Sequence, residues 1–259
     1  MANRKVRVAK GSVNKPGKNP NGPNYLVRIF NWVMTMKKGW DYSKDLFDYR
    51  KITSTIGQAI DYGTIKKAAW MIFFAAIITV IIAFATTLLS VHLVNFASDT
   101  LSEASGVPQP TLTFDKVLPV LLFQIVLYIP ISIAIALIYE GVFFVLAKIT
   151  GGKGAFEKQI YMSSVIGLSI AMTSGLSLFA PLPCLQVIAA ASLIVLTFYF
   201  MFFVSAKAYA QVHQIGGWHS FIMVLVLSII RLAVLLLITN WLAVTFGLPP
   251  VIDPGVANV

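Results

Sequence analysis

The sequence predicts an all-α integral membrane bundle: five transmembrane helices preceded by a cytoplasmic N-terminal region that contains short interfacial helices. Three observations predict it. Hydrophobic residues fill 58% of the 259 positions and charged residues 12%, with a mean hydropathy of +0.81. That leaves too little polar surface to cover a soluble globule of this size. Five apolar segments, residues 68–94, 117–149, 160–180, 185–210 and 221–246, each exceed the roughly 20 residues that cross a hydrocarbon core of about 30 Å. The net charge of +10 is confined to one end: residues 1–67 hold 14 Lys/Arg against 4 Asp/Glu, and residues 68–259 hold six of each.

Residues 1–24 carry Arg4, Lys5, Arg7, Lys10, Lys15 and Lys18, no acid, and Pro16, Pro20 and Pro23 among Gly and Asn. Such a stretch cannot bury enough apolar area to offset its ordering entropy, so a disordered basic tail is expected. No apolar run with a small-residue cleavage site occurs in the first thirty residues, and no cleaved signal peptide is expected. Residues 25–67 form the interfacial region. On a 3.6-residue period Leu26, Ile29, Phe30, Val33, Met34 and Met36 share a face opposite Arg28, Asn31, Thr35 and Lys38, with Lys37 intruding on the apolar side. The pattern fits a helix lying on the membrane with Trp32 and Trp40 near the headgroups, and equally a helix packed on protein. Thr55 and Gln58 have capping-box spacing, which predicts a short helix starting there.

The transmembrane domain spans residues 68–246, with a short external tail at 247–259. The second segment is long enough that it must tilt, project beyond the bilayer or kink at Pro130. The third carries Ser163, Ser164, Gly167, Ser169, Thr173, Ser174, Gly175 and Ser177. Small polar residues permit close helix approach, which places that segment inside the bundle. Basic residues crowd the N-terminal region, the second connection (Lys148, Lys153, Lys158) and the approach to the fourth (Lys207), whereas the first connection has only Lys116. The expected topology therefore has a cytoplasmic N-terminus and an external C-terminus.

Glu140 and Arg231 are the ionisable residues well inside the spans. Their estimated depths are about 12 and 15 Å, which predicts an intramembrane charge pair; a proton or ion site is the functional alternative. The turn Gly151-Gly152-Lys153-Gly154 lacks the spacing of a phosphate-binding loop. It reads as a tight turn with positive φ. His213 and His219 flank Gly216-Gly217 without helical zinc spacing, so turn or interface roles are expected. Cys184 is alone, which removes any intramolecular disulfide; it is expected to pack at the membrane edge. No nucleophile elbow or paired carboxylates occur, and neither a catalytic residue, a metal site nor a cofactor is expected.

The turn from Gly151 to Phe156 and the Val212-His213-Gln214-Ile215-Gly216 stretch resemble two motifs of the Yip family of membrane proteins, named for interaction with Ypt/Rab GTPases. The resemblance covers about residues 68–246 and implies five membrane helices behind a cytoplasmic N-terminal region. The family's Asp-Leu-Tyr-Gly-Pro motif is missing, Asp45-Leu46-Phe47-Asp48 being nearest, and the prolines near the third span, Pro181 and Pro183, lie at or beyond its outer end. The missing motif points to a prokaryotic-type member in the cell membrane, for which the resemblance implies a fold more than an activity. The expected function is a non-enzymatic adaptor or membrane-organising scaffold. Its expected contacts are anionic headgroups, through the tail cations with Arg28, Lys37 and Lys38, and a membrane or cytoplasmic protein or a second copy of the chain. The competing readings are a small ion or solute transporter using Glu140, and a subunit docking a ribosome or other large complex through the basic tail, nucleic acid being the least favoured partner.

Overall fold

A computed structural model describes residues 25–105, 118–119, 122, 124–182 and 184–245. The tail cations Arg4 to Lys18 and the external tail lie outside the described residues. All regular elements among those described are helical: α1 (Tyr25–Asp45), α2 (Ile52–Tyr62), α3 (Ile65–Ser105), α4 (Ile129–Ile149), α5 (Phe156–Thr173), α6 (Gln186–Phe198), α7 (Ser205–His213) and α8 (Gly217–Thr245). Wider π-helical turns precede α4 (Gln124–Tyr128) and α7 (Tyr199–Val204), and a tighter 3-10 stretch (Ser174–Phe179) extends α5. Five resulting helices are long and apolar enough to cross a membrane: Ile65–Thr100, Ile125–Ile149, Phe156–Phe179, Gln186–His213 and Gly217–Trp241. The protein is a multi-pass all-α bundle.

The irregular turns have local causes. Pro130 has no N–H to return to the carbonyl four residues back and its ring crowds that carbonyl; the chain takes up the mismatch in the π-helical turn just before it. In the other π-helical turn, Ser205 Oγ donates to the Phe200 carbonyl at 2.9 Å. α3, at 41 residues, spans about 61 Å and must project beyond a hydrocarbon core of about 30 Å.

The most extensive pairing joins α3 and α5. They run in the same direction, since contacts advance together along both: Gly63 meets Tyr161, Ile82 meets Gly175, and Thr86 Oγ1 lies 3.1 Å from Ser177 Oγ. α5 carries ten buried residues, among them Ser164, Ser169 and Thr173, whose hydroxyls bond to backbone carbonyls within the helix. Its placement inside the bundle agrees with the polar pattern.

At the end bearing the glycine turns, α1 and α2 wrap the bundle. Lys158 Nζ donates to the carbonyls of Asp61 and Gly63, which fixes the end of α2 to the start of α5. α1 is longer than its apolar periodicity suggests and docks through a different face. Thr35, Gly39, Ser43 and Leu46 are buried, whereas Val27, Ile29, Phe30, Val33 and Met34 are exposed. The reason is close approach. Gly39 lies directly against Met71, and Ser43 both donates to the Val165 carbonyl at 3.1 Å and accepts from Ser169 Oγ at 3.3 Å. Trp32 meets Trp70 edge-on and Trp40 meets Phe74.

Two further expectations are corrected. α2 starts at Ile52, one turn before Thr55; Thr55 is buried against the core and its backbone N–H already bonds Lys51 O at 2.8 Å. The helix start, with Lys51 at its N-cap, carries no side-chain cap. Cys184 is exposed, not packed.

Candidate functional site

The two glycine-containing turns form one site. Gly151 adopts φ +86°, a left-handed conformation that favours glycine, and Gly152 N–H bonds back to the Ala147 carbonyl at 2.7 Å. Lys153 N–H then crosses to the His213 carbonyl at 2.8 Å. The remaining glycines serve close approach: a Cβ on Gly152 would stand 2.6 Å from Ala147 O, and one on Gly154 would collide with Val212 O and lie 2.7 Å from His213 Nδ1. Phe156, opening α5, packs on Phe144 with centroids 5.1 Å apart. On the other turn, Gln214 supplies the left-handed residue that ends α7, at φ +55°. Gly216 and Gly217 are exposed, with His219 Nδ1 beside Gly216.

Behind these turns a hydrogen-bonded chain runs inward. His213 is fully buried between Phe143 and Phe144, each ring centroid 5.9 Å from its own. Its Nε2 is 2.8 Å from Gln159 Oε1, and Gln159 Nε2 donates to both the Glu140 carbonyl (2.8 Å) and Glu140 Oε2 (2.6 Å). This arrangement fixes the proton on His213. The Gln159 NH₂ must face the two Glu140 oxygens, so its carbonyl faces the imidazole and Nε2 carries the hydrogen. Nδ1 is then a buried acceptor beside Gly154, and it has no hydrogen-bond partner among the described residues.

Glu140 is 3% exposed. Besides Gln159, Ser163 Oγ and Tyr209 OH each donate to its Oε1 at 2.6 Å. Three donors thus converge on the carboxyl group from α5 and α7. Gln159 and Ser163 are one turn apart on α5 and both face Glu140; Tyr209 and His213 are one turn apart on α7, where Tyr209 meets Glu140 and His213 meets Gln159. The sequence carries this signal, a polar pair at i, i+4 in each of two segments that follow the one holding the lone acid.

Arg231 does not form the expected ion pair with Glu140. The salt bridge among the described residues is Lys51–Asp45, exposed, at 3.2 Å. Arg231 instead lies with its guanidinium carbon 5.5 Å from the centre of the Tyr139 ring, whose hydroxyl is 3.4 Å from Ser228 Oγ. The depth argument does bring the two charges to one cavity of about 430 Å³ between α3, α4, α5, α7 and α8, lined by both. Rotation about the helix axes decides the rest, turning the carboxylate towards α5 and α7. Among the described residues no group of three His, Cys, Asp or Glu converges as a metal site would require. Of the predicted lipid contacts, Arg28, Lys37 and Lys38 are exposed on α1, Lys38 lying 4.4 Å from the Tyr62 ring centre.

No family model, curated protein or solved structure matches the chain. The class established by the fold is therefore a multi-pass, all-α membrane bundle.

Proposed function

We propose that this protein is a non-enzymatic, Yip-like membrane-organising adaptor, oriented with its N-terminal region in the cytoplasm and its C-terminus outside, and that α1 with the basic tail is its working surface. The observation carrying this reading is the division of labour on α1. A small-residue face, Thr35, Gly39 and Ser43, holds the helix to the bundle, while Val27, Ile29, Phe30, Val33 and Met34 stay exposed beside Arg28, Lys37 and Lys38. An apolar strip with flanking cations suits an anionic bilayer surface. Six further cations precede it in residues 1–18, each worth about 1 kcal/mol near such a surface and screened by salt.

The test uses the full chain in neutral nanodiscs mixed with liposomes. Anionic liposomes should co-float with the discs, and high salt should remove much but not all of the binding, because the apolar strip is not screened. Equal binding to neutral liposomes would sink the electrostatic part. Preference for RNA over anionic lipid at equal ionic strength would favour docking of a nucleic-acid assembly instead. A transporter reading has one observation in its favour, the placement of Glu140 on an internal cavity; ion flux in proteoliposomes that disappears in Glu140→Gln would move that reading ahead.

A further inference from the structure

The geometry points to an internal binding site for a single-chain anionic amphiphile, with Arg231 holding the head group and the apolar walls of the cavity holding the chain. Arg231 is half-buried within an apolar span. A guanidinium there is costly unless it is paired or faces water. Yet among the described residues it contacts the Tyr139 ring and acts on Glu140 only at a distance, with no hydrogen bond or ion pair. Five N–H donors thus face a cavity with no acceptor from the chain assigned to them. The acid nearest in function, Glu140, has its oxygens committed to Gln159, Ser163 and Tyr209.

A second group points to the same ligand. Ser132 is among the residues lining the cavity, and its Oγ, itself buried, has no hydrogen-bond partner. It lies two helical turns from Tyr139 on the same face of α4, and Ser228 lies one turn from Arg231 on α8, also on the cavity wall. A planar guanidinium suits a carboxylate or a phosphate, and the serine hydroxyls are further donors on the same cavity wall.

The chain of the ligand follows from the rest of the lining. Ile72, Ala75, Ile129, Ile133, Ile170 and Leu235 make the apolar part of the walls, with hydroxyl-bearing residues such as Thr79 and Ser174 set among them. The cavity lies among apolar spans, and its volume of about 430 Å³ sits at the lower end of the range for ligand pockets, about 300–1,000 Å³. That size takes one acyl chain rather than two. Glu140 shares the cavity and opposes an anion at longer range, so the site should tighten when that charge is removed. This consequence separates the proposal from a cation site built on Glu140.

The test uses the purified full chain in a neutral detergent, with direct binding and thermal shift as readouts. The probes are oleate, oleoyl lysophosphatidic acid, oleyl alcohol and oleylamine. Oleate or the lysophosphatidic acid should bind saturably at one site, and the preference between them identifies the head group as carboxylate or phosphate. Arg231→Met should weaken binding about tenfold or more, Arg231→Lys should keep most of it, and Ser132→Ala should weaken it less than Arg231→Met, in line with the greater strength of charge-assisted bonds. Glu140→Gln should bind as tightly as the natural chain or more tightly. Equal binding of oleyl alcohol, or unchanged binding in Arg231→Met, overturns the proposal. So does a preference for oleylamine that is lost in Glu140→Gln, which would assign the cavity to a cation. Should Arg231→Met fail to fold, Arg231→Gln takes its place, and unchanged anion binding in that variant overturns the proposal.

Discussion

The two ends of the bundle are held together differently. At the end bearing the glycine turns, Gln159 and His213 are fully buried and Glu140 nearly so, all hydrogen-bonded in one chain, with α1 and α2 packed around the same helices. Towards the opposite end the most apolar window of α3 has no buried residue, and Ile81, Phe84, Leu88, Val94 and Phe96 are exposed along it. In a bilayer those side chains gain nothing by leaving lipid for protein, since both are equally apolar. Apolarity therefore makes the spans compatible with the membrane, and close packing with polar contacts fixes how they assemble. The specificity of the fold is concentrated where the sequence is least apolar.

The largest effect should come from the centre of the polar chain. Replacing Glu140 with Leu leaves Gln159 Nε2, Ser163 Oγ and Tyr209 OH without their acceptor, at about 1–3 kcal/mol for each buried donor left unsatisfied. A loss of several kcal/mol in detergent is expected, measured as unfolding midpoint against denaturant. The partner assignment can be tested separately with double-mutant cycles. Glu140→Gln should couple strongly to Tyr209→Phe and Ser163→Ala and weakly to Arg231→Met, because residues in one hydrogen-bond network are non-additive. Strong coupling to Arg231 and additivity with Tyr209 would restore the charge pair and undo the assignment. A like-sized loss from substituting exposed Leu88 with Ala would erase the distinction between the two ends.

The five spans were legible because hydropathy summed over about twenty residues outweighs local irregularity. Glu140 was equally legible, as a lone acid in such a run. Its partners were not. Matching depth selects candidates at one level of the bundle, but a carboxylate reaches only those on the faces turned towards it, and nearly uniform apolar helices such as α3 and α8 give no periodic signal to fix their rotation. Depth therefore put Glu140 and Arg231 on one cavity without joining them. α1 shows a related blind spot. Its apolar periodicity fits a membrane surface and a protein surface equally, whereas Thr35, Gly39 and Ser43, one turn apart, form the ridge that allows contact with Met71, Val165 and Ser169. Small residues at that spacing are the better guide to packing between membrane helices.

A pair of glycine substitutions sharpens the comparison at intermediate magnitude. Gly154→Ala places a Cβ onto the Val212 backbone and against His213, where nothing flexible can yield; overpacking of this kind typically costs about 1–3 kcal/mol. Gly141, on α4, has no atom within 4 Å of where its Cβ would stand, and relief of glycine's conformational entropy in a helix should make Gly141→Ala stabilising by roughly 0.5–1 kcal/mol. Thermal unfolding of the two variants should move in opposite directions. Movement in the same direction would mean that the glycine turn has room to relax and that the two turns are not locked together.

The smallest effect belongs to the turn between α1 and α2, where Lys51 Nζ meets Asp45 Oδ1 at 3.2 Å with both side chains about half exposed. Water and salt screen such a pair, and holding two flexible side chains in one geometry costs entropy, so a double-mutant cycle with Lys51→Ala and Asp45→Ala should give a coupling of no more than about 1 kcal/mol, falling as salt is raised. The nearby Phe47 is a better candidate for what holds this turn in place: its ring meets Phe200 edge-on with centroids 4.6 Å apart, and the Tyr199 hydroxyl donates to the Leu46 carbonyl at 3.3 Å. If the ion pair coupled more strongly than Phe47 with Phe200, the turn would be held by its charges, and the rule that close packing fixes this end of the molecule would fail at its edge.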